Sequence, residues 1–120
     1  MRKNNIIFLF AAGLLVLLSA CSSTIVGPAD ELAQCLTDSG AVMYGTEWCP
    51  HCKAQKEMFG TSFQYVTYVD CDKYPQACTN AGIQGYPTWV IDGANYPGTQ
   101  SLYDLAKLSG CSLSTLEAQN

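Results

Sequence analysis

The sequence predicts an α/β domain in which a central mixed β-sheet is flanked by helices on both faces. Three observations carry this expectation. Segments with helical periodicity alternate with short apolar runs of strand length. The first two such runs are separated by a whole helix, as a parallel crossover requires. The last two are joined by Asp92-Gly93, a hairpin signal that adds an antiparallel edge.

The elements follow in the order α-β-α-β-α-β-β-α. Pro28 suits the first position of a helix, and Asp30 and Glu31 follow in its first turn, where the helix dipole favours anions. Ala29, Leu32, Ala33 and Leu36 fall at i, i+3, i+4 and i+7 and make one apolar face, and Gly40 ends the helix. Ala41 to Thr46 is an apolar run of strand length. Pro50 opens a second helix that reaches Phe59 and stops at Gly60. Phe63 to Val69, rich in aromatic and β-branched residues, reads as a strand. Pro75 to Ala81 reads as a short helix ending at Gly82, Thr88 to Ile91 as a strand and Ala94 to Tyr96 as its hairpin partner. Ser101, with Asp104 three residues later, has the form of a capping box. Leu102, Leu105 and Ala106 then line the inner side of a last helix that ends at Gly110. Tyr44, Tyr65 and Trp89 are expected in the core or at its edge, whereas Tyr68, Tyr96 and Tyr103 carry no functional signal.

The N-terminal stretch is read apart from the fold. Arg2 and Lys3 precede an apolar run, Ile6 to Leu18, of about 13 residues, short of the roughly 20 that span a bilayer. Small residues follow, then Leu18-Ser19-Ala20-Cys21. A charged start, a short apolar core and a small-residue cleavage site describe a secretory signal peptide. The Leu-Ser-Ala-Cys ending resembles the bacterial lipobox, and that resemblance implies a diacylglyceryl group on Cys21 with cleavage just before it. An uncleaved anchor helix is the alternative. The expected organisation is a signal peptide at 1–20, a tether at 21–27 and one folded domain at 28–120. Either way the domain faces an oxidising compartment; with Cys21 lipidated it lies in the cell envelope, lipid-anchored and facing the periplasm or cell exterior. Ser22 after Cys21 resembles the pattern sent to the outer membrane of Gram-negative cells.

Composition narrows the classes. The formal net charge is −4, and setting Arg2 and Lys3 aside takes it to about −6. Only Lys53, Lys56, Lys73 and Lys107 then remain as basic residues, too few to neutralise a row of phosphates, so nucleic acid is excluded as a partner. A monomer is expected. Of the seven cysteines, assigning Cys21 to lipid leaves six: Cys35, Cys49, Cys52, Cys71, Cys78 and Cys111. In a small exported domain these read as disulfides. A four-ligand zinc site needs two close clusters, and the chain has one C-x-x-C and one histidine, His51. No metal and no other cofactor is expected. Apart from Cys49 and Cys52, four cysteines allow three pairings. Cys71 and Cys78 flank a short loop and are favoured as one bridge, worth roughly 2.5 kcal/mol by loop entropy. Cys35 with Cys111, near the ends of the first and last helices, is favoured as the other, at about 4.5 kcal/mol.

Chemistry concentrates where a strand gives way to a helix, at Cys49-Pro50-His51-Cys52. Free backbone N–H groups and the positive end of the dipole at a helix start stabilise a thiolate. Cys49 is therefore expected to be the attacking, solvent-facing sulfur with a depressed pKa. Cys52, one turn deeper, is placed as the resolving thiol. Pro50 fixes the first turn without losing a needed donor, and His51 can add positive charge or a hydrogen bond. A plain structural disulfide is the bland alternative.

Trp48-Cys49-Pro50-His51-Cys52 after a strand, with Gly85-Tyr86-Pro87-Thr88 about 35 residues later, resembles the thioredoxin-fold oxidoreductases. That resemblance implies a thioredoxin-like fold and a cis-proline at Pro87 facing the cysteines. It also implies a substrate surface at Trp48, Tyr86 and Pro87, with the Tyr86 backbone pairing to an extended segment. Over residues 30–111 the chain further resembles the thioredoxin-like domains fused to bacterial and plant vitamin K epoxide reductase homologues. Met43-Tyr44-Gly45, Gln55 to Gly60, Gly82 to Trp89 and Leu105 to Gly110 carry that likeness. It implies transfer of electrons from exported proteins to a quinone-linked membrane oxidoreductase. The sequence shows no membrane domain of that kind beside it, so the partner's identity stays open.

Two departures from the family pattern matter. Thioredoxins place a buried acid six residues before the first active-site cysteine, and here Met43 stands there, with Glu47 nearby but expected to be exposed. The Pro-His dipeptide is shared with periplasmic dithiol oxidants. Potentials of about −120 mV for a strong oxidant of that kind and about −270 mV for thioredoxin differ by roughly 7 kcal/mol. A stabilised Cys49 thiolate pushes toward the oxidising end. The sequence thus reads as a thiol-disulfide oxidoreductase acting on exported proteins with free thiols or disulfides. Its rivals are a reductase or isomerase, a Cu(I)-binding lipoprotein using Cys49, His51 and Cys52, and a structural lipoprotein.

Cys21→Ser is expected to abolish lipid labelling and membrane retention while leaving the domain folded. Fractionation of the mutant with membranes like the parent would show that the apolar segment itself is the anchor.

Overall fold

The computed structural model describes residues 27 and 29–113; the leader, the lipidation candidate Cys21, Pro28 and residues 114–120 lie outside the described residues. The elements are helix α1 (Asp30–Asp38), strand β1 (Val42–Gly45), helix α2 (Pro50–Phe59), a 3-10 helix (Gly60–Tyr65), strand β2 (Tyr68–Asp70), helix α3 (Pro75–Asn80), strands β3 (Thr88–Ile91) and β4 (Ala94–Pro97), and helix α4 (Leu102–Ser109). Among the described residues no helix is long and apolar enough to cross a membrane.

The four strands form one sheet in the order β2-β1-β3-β4. β1 runs parallel to β2 after the α2 crossover and antiparallel to β3, and β3 pairs antiparallel with β4. The β3–β4 turn has Asp92 at φ 50° and Gly93 at φ 76°. Two consecutive positive φ values twist a two-residue hairpin in the same sense as its strands.

Cross-strand partners share a face. Met43 pairs with both Tyr68 and Trp89, and Trp89 with Tyr96, so these four line one side of the sheet. α2 and the 3-10 helix cover that side. Phe59 packs on Trp89 at 6.0 Å between ring centroids, Phe63 on Phe59 at 6.1 Å and Phe63 on Tyr68 at 5.8 Å. Trp89, Phe59 and Met43 are wholly buried there, each contributing about 1.5–3 kcal/mol or more from desolvation.

The inward face of α1 is the apolar set Leu32, Ala33 and Leu36. Cys35 on this helix is bonded to Cys111 just past α4, and Cys71 is bonded to Cys78 across the β2–α3 loop. Ser101 caps α4: its Oγ accepts the Asp104 N–H at 3.0 Å while its hydroxyl donates to the Asp104 carboxylate at 2.8 Å. The carboxylate therefore answers the hydroxyl, where a capping box would return to the Ser101 backbone.

The expected strand from Phe63 to Val69 is corrected. Gly60, at φ 56°, turns the chain directly into the 3-10 helix, and only Tyr68–Asp70 joins the sheet. Contacts with other elements decide this against β propensity. Ser62 is buried with its Oγ accepting the Ala29 N–H at 3.2 Å, and Phe63 is wedged between Phe59 and Tyr68. Tyr65 consequently ends 38% exposed and belongs to the surface.

One buried polar side chain joins the layers. Gln55 on α2 is fully buried. Its Oε1 accepts the Trp89 indole N–H at 3.1 Å and the Gln100 backbone N–H at 2.8 Å, and its Nε2 donates to the Gln100 carbonyl at 2.9 Å. Gln55→Met keeps the volume and deletes these partners, so it is expected to lower stability by about 2 kcal/mol or more. Urea unfolding measures this, and a loss below roughly 0.5 kcal/mol would show that these bonds are dispensable.

Candidate active site

β1 delivers the chain through Thr46, Glu47 and Trp48 to Cys49, which sits at the N-cap of α2 in extended conformation (φ −71°, ψ 121°) with Pro50 at the first helical position. The Cys49 Sγ accepts the Cys52 backbone N–H at 3.4 Å, the bond by which a cap satisfies a free helix-start donor. Its thiol donates to the Tyr86 carbonyl at 3.6 Å. The Tyr86–Pro87 peptide is cis, and Pro87 is buried with its carbonyl accepting the Gly98 N–H at 2.8 Å. The site thus brings together Cys49, Cys52, Tyr86 and Pro87. Both active-site thiols are free.

Cys49, whose sulfur is expected to face solvent, is only 5% exposed, with the Tyr86 carbonyl against its Sγ; Cys52 is deeper still, at 0%. Burial opposes ionisation of Cys49, yet hydrogen bonds from the Cys52 thiol and from the Cys52 and His51 backbone outweigh it, and its pKa falls below the ordinary 9.0. Burial pushes the Cys52 thiol up to about 11, against the Thr46 backbone and the Lys56 charge, which both favour its thiolate. The pair is chemically unequal by placement alone. Gly45 makes the close packing of Cys52 possible, since a Cβ there would meet the Cys52 Sγ at 2.8 Å.

His51 is exposed and its imidazole makes no hydrogen bond to a described residue; the contribution the geometry shows comes from its backbone N–H. Its carbonyl accepts the Thr99 hydroxyl at 3.3 Å. Trp48 is 62% exposed and meets the Tyr86 ring edge-on at 6.3 Å. Its indole N–H donates to Asp72 at 2.8 Å, which orients it from the loop that Cys71–Cys78 closes. Among the described residues no three His, Cys, Asp or Glu side chains converge as metal ligands would.

Several residues around the site were silent in the sequence. Gln55 is a polar residue on a helix face otherwise occupied by Cys52 and Phe59, and that mismatch was the signal of its burial. Tyr68 lies beside Gly45 and Cys52 with its hydroxyl buried, and burial followed by the Glu47 and Asp70 carboxylates raises its pKa. Met43 is fully buried, and Glu47 is exposed and paired with Lys56 at 3.0 Å.

A family model described as Thioredoxin matches residues 30–107. The chain belongs to the thioredoxin family. Among similar proteins, "Thiol-disulfide oxidoreductase LTO1" of Arabidopsis thaliana is 40% identical over 98 residues, covering 74% of this chain and 26% of that protein. "Protein disulfide isomerase-like 2-2" of Oryza sativa subsp. japonica is 34% identical over 85 residues, covering 58% of this chain and 23% of that protein. This thioredoxin-family chain therefore spans about a quarter of the length of these relatives. The solved mitochondrial thioredoxin 3 of Saccharomyces cerevisiae, in its oxidised form, superposes with a TM-score of 0.46 at 21% identity, covering 56% of this chain and 72% of that one.

A lowered pKa for Cys49 means that its reactivity switches on as pH rises through a midpoint below 9.0, whereas Cys52 stays protonated until about 11. In the reduced protein at pH 7, iodoacetamide is expected to label Cys49 first and Cys52 only after unfolding, as peptide mass mapping would read. Equal labelling of both would show that the thiols are not differentiated.

Proposed function

We propose that this domain is an extracytoplasmic thiol-disulfide oxidoreductase that oxidises the thiols of exported proteins. The observation that carries it is the Cys49 sulfur capping α2 under the Tyr86 carbonyl, with Cys52 buried one turn behind. In the oxidised domain a substrate thiolate attacks the Cys49 Sγ. The Cys49–Cys52 bond breaks, its electron pair stays on Cys52, and that sulfur takes up a proton from water. A second substrate thiolate then attacks the substrate sulfur of the mixed disulfide, and Cys49 leaves as a thiolate. The substrate has lost two electrons and the domain holds them as two reduced cysteines. A helix-start thiolate is a good leaving group, which favours this direction. In the reverse direction Cys52 attacks Cys49 and releases the partner, which is how a reductase would resolve the same intermediate.

The remaining parts of the reading rest on sequence. The lipobox-like Leu18-Ser19-Ala20-Cys21 supports a lipid anchor on the envelope, outer membrane in a Gram-negative cell. Resemblance to the domains fused to vitamin K epoxide reductase homologues supports reoxidation by a quinone-linked membrane oxidoreductase. Trp48 and Tyr86 are the exposed rings a substrate segment would meet beside Cys49.

Cys52→Ala in the full chain removes the domain's own escape route from a mixed disulfide, the attack of Cys52 on the Cys49 sulfur. It is expected to accumulate covalent complexes through Cys49, formed when that thiolate attacks a disulfide of an exported protein or of the membrane oxidoreductase and displaces its other sulfur, seen on non-reducing gels and identified by mass spectrometry. Cys49→Ala is expected to trap nothing. No complex with Cys52→Ala would sink the enzymatic reading, and a glutathione equilibrium placing the pair near about −270 mV would make the domain a reductant.

A further inference from the structure

Cys52 is fully buried, yet the proposed reaction leaves an electron pair on its sulfur in every turnover. The titratable groups around it come from three elements: Cys49 and Lys56 on α2, Glu47 in the β1–α2 loop, and Tyr68 on β2, with Asp70 acting on Tyr68 from the same strand. Lys56 is the one cation among them. It follows Cys52 by four residues, so both side chains leave the same face of α2.

The ammonium is held rather than free. Its Nζ lies 4.1 Å from the Tyr68 ring centroid, 5.5 Å from that of Phe63 and 3.0 Å from the Glu47 carboxylate. The Lys56 side chain is only 24% exposed, whereas Glu47 is 65% exposed. An ion pair to so exposed a carboxylate is a weak restraint, and the aromatic faces supply the stronger seat. The Tyr68 ring in turn abuts the place where Cys52 sits: a Cβ on Gly45 would lie 3.4 Å from the Tyr68 ring and 2.8 Å from the Cys52 Sγ. A lysine serving only solubility would extend into water.

We propose that Lys56 is a positioning residue for the resolving thiol: seated on Tyr68 and Phe63 and tethered by Glu47, its ammonium stabilises the Cys52 thiolate as that sulfur exchanges its electron pair with Cys49. This inference rests on Cys49 and Cys52 being the redox pair. Burial disfavours the thiolate, and a fixed positive charge acts against that penalty without having to reorganise.

The test follows the return of Cys52 to Cys49 within the molecule, with no protein substrate. The reduced full chain is treated with dithiobis-nitrobenzoate. Attack by Cys49 forms a mixed disulfide there and releases one nitrobenzoate thiol; attack by Cys52 on the Cys49 sulfur then closes the Cys49–Cys52 bond and releases the second, coloured thiol. The rate of this second release is recorded against pH for the parent, Lys56→Met, Lys56→Gln and Lys56→Arg. In the two neutral variants the profile is expected to move up by about one pH unit, a roughly tenfold slower release at fixed pH. Lys56→Arg is expected to restore the parental profile, and the pH dependence of Cys49 alkylation is expected to stay unchanged throughout. Neutral variants whose profiles overlay the parent, or an arginine variant as slow as the neutral ones, would overturn the role of the charge while leaving the redox reading intact. A parent that never releases the second thiol would overturn the redox reading, and this inference with it.

Discussion

The geometry of the site depends on the buried amide of Gln55. It is the point at which α2, β3 and the segment leading into α4 are joined by hydrogen bonds rather than by packing alone. An amide in an apolar interior is tolerated only when its donors and acceptors are matched, and that requirement fixes the separation of the three elements more tightly than aliphatic contacts do. The segment held through Gln100 also places Gly98 against the Pro87 carbonyl and Thr99 against the His51 carbonyl. The Cys49–Tyr86 contact is thus backed by a hydrogen-bonded network that runs through Gln55.

Within that frame two identical side chains become different acids. Cys49 and Cys52 share a helix, and one turn separates a position with donors pointing at it from one enclosed by the sheet. Hydrogen bonds win at the first and desolvation wins at the second. Gly45 allows the second to be enclosed so closely, because the strand can approach the sulfur only where no Cβ intervenes. The asymmetry needs no exotic group, only the position of a helix start relative to a strand end.

Much of this was legible in the sequence because it is local. The second helix from Pro50 to Phe59, the Asp92-Gly93 hairpin and the Ser101 cap follow from residues a few positions apart, and each appears in the fold. The stretch after Gly60 departs from its strand propensity because its conformation is decided by contacts with other elements, Ala29 on one side and Phe59 and Tyr68 on others. The Cys49-Pro50-His51-Cys52 motif was legible for the same reason that the second helix was. Gln55, Lys56 and Tyr68 were not, since their roles arise where α2 meets the sheet, and their composition alone reads as a surface amide, a surface cation and a strand aromatic.

The Cys71–Cys78 bridge has a consequence at the surface. It closes the loop that carries Asp72, and Asp72 holds the indole of Trp48 beside the active-site cysteine. The hydrogen bonds of the Cys49 sulfur run elsewhere, to Cys52 and Tyr86. A chain with that bridge open would keep the Cys49 and Cys52 thiols and lose a restraint on the aromatic next to them. In the proposed reaction, docking and electron transfer would thus be separable, the first governed by a covalent bond of the same kind that the second makes and breaks.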